Sequence, residues 1–182
     1  MRTEEEAAFA EYMTARRDAV RRTAYLLCGE WHKADDLTQT AFVKLYGAWG
    51  RIRDRGALDA YVRSCLVRAT IDESRRPWRR ERAVEFLPEP HPSAGGSADL
   101  ADFAGGLADR DAVREALRQV PPGQRTVLVL RYYEGLDVKA VAQALGCSDG
   151  TVKSQTSRGL AALKAALAVT GTTPERREGE GR

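Results

Sequence analysis

Histidine and cysteine are scarce in this sequence, with 2 and 3 copies in 182 residues. Cys28, Cys65 and Cys147 are odd in number, far apart and set among apolar neighbours, and no CxxC pair exists. With His32 and His91 as the remaining soft ligands, a zinc site lacks its donor set. The same usage fits a reducing compartment better than a disulfide scaffold. No apolar run approaches the ~20 residues of a membrane helix, so no membrane insertion is expected. The opening residues, "MRTEEEAAFAEYM", are acidic and amphipathic, unlike a secretory signal. These absences point to a cytoplasmic protein without a zinc site.

What is present is uneven charge. The net charge is only +3, but it is distributed in blocks. From Arg51 to Arg82 ten arginines face five acidic residues; from Ala83 to Asp111 six acidic residues face one arginine; from Ala112 to Thr170 eight basic residues face four acidic ones. Two basic blocks around an acidic connector suggest two modules that meet polyanions. Solvated basic helix faces would give the same count.

The periodicity is helical throughout, which predicts an all-α fold of two small domains. Between Glu5 and Leu27, the residues Phe9, Tyr12, Met13, Val20, Ala24 and Leu27 share a face. In "HKADDLTQTAFVKLYGAW", Leu37, Ala41 and Leu45 recur at i, i+4, i+8, with Phe42 and Trp49 beside them. Asp35, Asp36, Gln39 and Lys44 occupy the outer face; for the two carboxylates a helix start that suits the dipole is the plain alternative to any contact role, and both can hold together. "GRIRDRGALD" reads as a loop. A third helix from about Asp59 to Arg76 turns Tyr61, Val62, Cys65, Leu66, Ala69 and Ile71 inward, and Pro77 ends it. These elements make a first domain over 5–82. The 83–108 stretch, containing "LPEPHPSAGGSADLADFAGG", has little to bury and reads as a flexible acidic linker. A second domain spans 109–170, and 171–182 reads as a disordered tail. With so few apolar residues in the linker, the two domains are expected to move independently. Within the second, "VLVLRYY" has the composition of a strand, but Pro121, Pro122 and Gln124 look like a helix entry.

The strongest local signal is "LDVKAVAQALGCSDGTVKSQTSRGLAAL". Leu136, Val141, Ala142 and Leu145 line a short helix, Gly146 can take the positive φ at its end, and Ser148 can cap the next helix. On that helix Val152, Thr156, Gly159, Leu160 and Leu163 form an apolar sector. Gly150, Ser154, Ser157, Arg158 and Ala161 point away, with Lys153 and Gln155 on the flanks. This is helix-turn-helix geometry, with a second helix able to enter a major groove. A plain helical hairpin with a polar outer face shares the pattern.

The order of pieces is more telling than any one. "TAYLLCGEWHKADDLTQTAFVKLYGAW", "DAYVRSCLVRATIDESRRPWRR" and "VPPGQRTVLVLRYYEGLDVKAVAQALGCSDGTVKSQTSRGLAALK" together resemble the extracytoplasmic-function (ECF) sigma factors of bacterial RNA polymerase, particularly the actinobacterial SigE-type group. The resemblance runs from about Thr14 to Leu167. It implies a protein that binds core RNA polymerase and directs promoter recognition and transcription initiation, making no bond itself and needing no metal or other cofactor. "ADDLTQTAFVKLY" matches the family's motif for docking on the clamp helices of the largest polymerase subunit, with Asp35, Asp36, Gln39 and Thr40 as contacts. The loop Gly50 to Asp59 matches the loop that captures a base flipped from the −10 element. Arg51, Arg53, Arg55, Arg63, Arg68, Arg75 and Arg76 are then the ligands of melted −10 DNA, and Tyr61 and Trp78 could stack on bases, although core packing suits Tyr61 better. Arg68 departs from the asparagine of many members and cannot reproduce an amide's donor-and-acceptor pattern. Asp72 is implied to pair with an arginine. For duplex −35 DNA the implied contacts are Ser148, Thr151, Lys153, Ser154, Gln155, Ser157 and Arg158. The acidic linker would occupy a basic polymerase channel, and an anti-sigma protein is a further candidate partner.

Two other classes fit parts of the chain. A stand-alone helix-turn-helix regulator would share the second module without needing the first. A metal-dependent nuclease built on Asp35, Asp36 and Asp72 lacks the further ligands that paired metals require.

Overall fold

Four glutamates and no early proline open the chain as a helix, with Glu4, Glu5 and Glu6 at the positive end of its dipole. The computed structural model describes residues 3–75 and 107–170, with side chains for 3–72 and 110–169. The linker as far as residue 106, the tail 171–182, Arg76, Pro77, Trp78 and the Arg75 side chain lie outside the described residues. All the regular structure among the described residues is helical: α1 (Thr3–Cys28), α2 (Trp31–Ala48), α3 (Leu58–Arg75), α4 (Leu107–Gln119), α5 (Pro122–Leu128), α6 (Val138–Leu145) and α7 (Asp149–Thr170). α1 and α4 each begin two residues earlier than the periodicity predicts, within the ordinary fraying of helix ends.

α1, α2 and α3 close on one core. Gly29, at φ +77, turns α1 into α2, its N–H donating to the Tyr25 carbonyl at 2.7 Å. Val20, Ala24 and Leu27 from α1 meet Leu37, Ala41, Phe42 and Leu45 from α2 and Leu58, Val62 and Leu66 from α3. Trp49 closes the far end at 1% exposure, with the rings of Phe9 and Tyr12 against it at 5.2 and 5.8 Å. Asp59 ties α1 to α3: it accepts from Tyr12 Oη at 2.7 Å and from Arg16 Nε and Nη2 at 3.0 and 2.7 Å. Burial first, then the Asp59 carboxylate, pushes the Tyr12 phenol above its usual range.

In the second group each helix boundary has a local cause. Pro122 stands at the start of α5, where its missing N–H is harmless. Asp137 caps α6 by accepting from Ala140 N at 2.8 Å, and Gly146 ends it at φ +65. Ser148 Oγ caps α7 by accepting from Thr151 N at 3.1 Å. The strand-like "VLVLRYY" is helical, as α5 passing into a π-helical turn over Val129–Tyr133. Its composition has a clear reason. Val127, Leu128, Val129 and Leu130 are buried on every side: Leu128 faces α4 and α7, Val127 and Leu130 face α6, and Val129 enters the core of α1–α3.

That last contact is one of several that join the two helix groups, which the linker's composition gave no reason to expect. Val67 of α3, absent from the inward face read from the sequence, is fully buried in the core of the second group. Arg63 of α3 pairs with Glu134, just past the π turn, at 2.8 Å. Arg125 Nη1 reaches the Leu27 carbonyl at the end of α1 at 3.5 Å. The groups interlock through apolar and polar contacts at once.

Candidate polymerase and nucleic-acid interfaces

The outer face of α2 carries the residues proposed to dock. Because α2 begins at Trp31, Asp35 and Asp36 fall in its second turn, beyond the reach of the terminal dipole. Their reading as a helix start is therefore corrected. Asp35 instead accepts hydrogen bonds from Arg21 Nε and Nη2 of α1, the latter at 3.1 Å. Those hydrogen bonds hold its carboxyl below the usual carboxylate range. Asp36, Gln39 and Thr40 are exposed. Beside them lies a groove of about 580 Å³ lined by Phe9, Met13, Thr38, Gln39, Val43 and Tyr46. Val43 and Tyr46 are 65% and 48% exposed; reading the sequence for charge missed both, although they follow Gln39 at i+4 and i+7 and so share its face.

The arginines of the second interface divide. Arg51, Arg53, Arg55 and Arg68 are exposed along the loop and the outer side of α3. The loop is not irregular but folds as two 3₁₀ turns, Trp49–Arg51 and Arg55–Ala57. Asp54 Oδ1 fixes the second by accepting from Gly56 N at 2.8 Å. Arg55 lies over the Trp49 ring at 4.2 Å, which positions its charge on a buried anchor. Arg63 differs. It is held by Glu134 with only 21% of its side chain exposed, so in this arrangement it is not available to a phosphate. Tyr61 is half-buried against the α1–α3 core beside Cys65, and burial raises both the phenol and the thiol. Packing against that core accounts for the position of this ring.

On α7 the apolar sector is placed as its spacing predicts. Val152 and Leu163 are buried, and Gly159 lies against Leu128. Among the outward residues, hydroxyls and cations behave differently. Ser148 and Thr151 share a hydroxyl contact at 2.9 Å, and Ser154 Oγ donates to the Thr151 carbonyl at 3.0 Å. These hydroxyls shape the first turn of the helix. Lys153, Ser157 and Arg158 are exposed, and Gln155 is half-buried on the flank.

One buried cation escaped the sequence reading. Arg125 is 8% exposed, and its Nη2 donates to the carbonyls of Arg118 and Val120 at 2.8 and 3.0 Å. It thereby caps the end of α4, where carbonyls lack partners within the helix. Burial lowers its pKa from the ordinary arginine value. In sequence it is one arginine among many, after "PPGQ", with no signal of burial.

Known protein families recapitulate this layout. Residues 13–80 match sigma-70 region 2, and residues 110–163 match sigma-70, region 4. Over 160 residues the chain is 40% identical to the RNA polymerase sigma-E factor of Streptomyces avermitilis, covering 87% of this chain and 84% of that one. The chain belongs to the ECF sigma factors of RNA polymerase. The sigma-E factor of Streptomyces coelicolor is 38% identical over 160 residues, covering 87% of this chain and 85% of that protein. The ECF sigma factor SigE of Mycolicibacterium smegmatis is 32% identical over 155 residues, covering 83% of this chain and 58% of that one. In three dimensions the fold is similar to the sigma factor RpoE of Bartonella quintana, crystallised with the anti-sigma factor NepR. The TM-score is 0.61 and the identity 26%, over 89% of this chain and 98% of RpoE.

The sigma factor's task is to bind core polymerase and direct promoter recognition and initiation. Sigma factors are a family of non-catalytic proteins. Among the described residues no three His, Cys, Asp or Glu side chains converge on a possible metal site, and no helix is long and apolar enough to cross a membrane.

Proposed function

We propose that three exposed faces divide the work of initiation: α2 docks on core polymerase, the 3₁₀ loop and α3 hold melted −10 DNA, and α7 reads duplex −35 DNA. The observation that carries this reading is the outward display of Asp36, Gln39 and Thr40 on α2, of Arg51, Arg53, Arg55 and Arg68 beside α3, and of Lys153, Ser157 and Arg158 on α7. The first two sets fall within the region 2 match and the third within region 4. Domain limits of 5–82 and 109–170 follow, with the acidic stretch between them entering the polymerase. The reading needs no catalytic group or cofactor, and it puts the chain in the cytoplasm with the polymerase. It also extends to a protein antagonist, since the RpoE relative was crystallised with NepR.

Run-off transcription with core polymerase over a promoter library tests the whole. RNA appears only when both are present, whereas a stand-alone regulator would retain duplex DNA without core. Docking is tested by Asp36→Arg. The site is exposed, so the fold should survive while reversed charge weakens core binding by at least about tenfold. Unchanged core affinity in a folded variant would refute this docking face.

Base reading is tested at Gln155. Glutamine pairs bidentately with adenine and arginine with guanine. Gln155→Arg is expected to change preference at a single −35 position, by about 1–3 kcal/mol. Selection from randomised −35 duplexes reads the outcome, and an unaltered preference would assign Gln155 to positioning on the backbone.

A further inference from the structure

Glu134 stands where the two halves of the sigma factor meet. Its carboxylate accepts from Thr23 Oγ1 on α1 at 2.6 Å and from Arg63 Nε on α3 at 2.8 Å. Only 17% of the Glu134 side chain is exposed, which limits screening by salt. The backbone presents it firmly. Glu134 N closes the π turn onto the Val129 carbonyl at 3.0 Å, and Gly135 follows at φ +69. Val129 and Val67 are buried across the same boundary, so the ion pair sits over an apolar seam.

We propose that this contact is a latch: it holds the free sigma factor closed, with the Glu134 carboxylate standing on Arg63 in place of a DNA phosphate. The inference rests on the reading of α3 as the −10 face. The closed form cannot be the promoter-bound form. By their names the two elements lie about 25 base pairs apart, or ~85 Å of duplex at ~3.4 Å per pair. A body of about 140 residues has a radius of gyration of only ~14 Å. The chain between α3 and α4, some 31 residues from 76 to 106, can span up to ~100 Å. Engaging both elements therefore requires the seam to part, and parting frees Arg63 as a phosphate ligand at the same step. Promoter binding and latch opening are thus one equilibrium, and whatever favours the open form favours both DNA contacts.

The test uses the full chain. Glu134→Ala removes the acceptor from both partners. Thr23→Val loosens the same contact from α1 without changing charge. Glu115→Ala breaks an exposed pair within α4, that with Arg118, and controls for lost negative charge. Small-angle X-ray scattering without DNA or polymerase should show the native chain compact and the Glu134→Ala and Thr23→Val chains expanded. Binding of a fluorescent random 20-nucleotide single strand should tighten in Glu134→Ala by about eightfold at 50 mM salt, the value of one freed contact with a single-strand slope of ~0.7. Glu115→Ala should change neither. Scattering identical to the native chain in both latch variants, a native chain already expanded, or tightening no greater than in the control would each overturn the latch. Core-dependent transcription by the native chain, run alongside, separates these results from failure of the functional reading, because scattering depends on neither core nor promoter.

Discussion

The Leu128→Ala variant is expected to melt about 6–12 °C below the native chain, from a loss of ~3 kcal/mol spread over a chain of this size. Leu128 is fully buried and joins α4 to α7 through Ala116, Leu117, Val120, Leu163 and Ala166. Truncation would leave a cavity between three helices, and the short α5 on which it sits gives the site little freedom to collapse. The partner position makes the test sharper. A methyl at Gly159 would sit 3.1 and 3.2 Å from Leu128 Cγ and Cδ1 and 3.3 Å from Gln124 Cβ. In the native background, Gly159→Ala gains up to ~1 kcal/mol of helix propensity and loses a similar amount to crowding. In the Leu128→Ala background the crowding from Leu128 is gone and the added methyl fills part of the cavity. The two changes should therefore couple favourably by about 1 kcal/mol or more in a thermal or urea double-mutant cycle. Strict additivity would mean that α7 does not rest on Leu128 as the structure places it.

The helix that carries Gly159 shows what the sequence makes legible. Gly159 and Val152 fall on the apolar sector of α7 by helical angle alone, and both are buried. Local chemistry is equally readable: Gly146 ends α6 at positive φ, and Ser148 caps α7. What periodicity cannot carry is a face that buries against a distant element. Val67 sits opposite the inward stripe of α3, so a single apolar face leaves it outside; it is buried because the second helix group covers it. "VLVLRYY" is ambiguous for the same reason, since a segment enclosed on every side has no polar face to reveal its period.

Charged residues show a parallel limit. Arg63, Arg125 and Arg68 are indistinguishable as letters. One is paired with Glu134, one caps α4 from within the core, and one is exposed. Their roles depend on which acceptors tertiary contacts bring within reach, and those acceptors lie 71 residues away for Arg63. The motif-level resemblance gave the two sigma regions in their chain order, while the state of each side chain within them required coordinates.

The double variant Lys153→Ala, Arg158→Ala is expected to weaken binding to a −35 duplex by about thirtyfold at 0.15 M salt. Both cations are exposed on α7, and neither forms an ion pair among the described residues. Each phosphate contact contributes a slope of ~0.9 in log K against log salt. Removing two lowers the slope by ~1.8, and extrapolation from 1 M, where the electrostatic part vanishes, gives the thirtyfold loss. The stability cost should stay within about 0.5 kcal/mol, as for surface changes remote from the core. Sequence preference should be preserved, because phosphate contacts position the helix and base contacts specify the site. The measurement is a salt titration of the protein assembled with core polymerase, native and variant side by side, on preferred and scrambled −35 duplexes. A parallel loss on both, with a flatter slope, places Lys153 and Arg158 on the backbone. A loss confined to the preferred duplex would instead make at least one of them a reader of bases, and the positioning role would then fall to other exposed residues of α7.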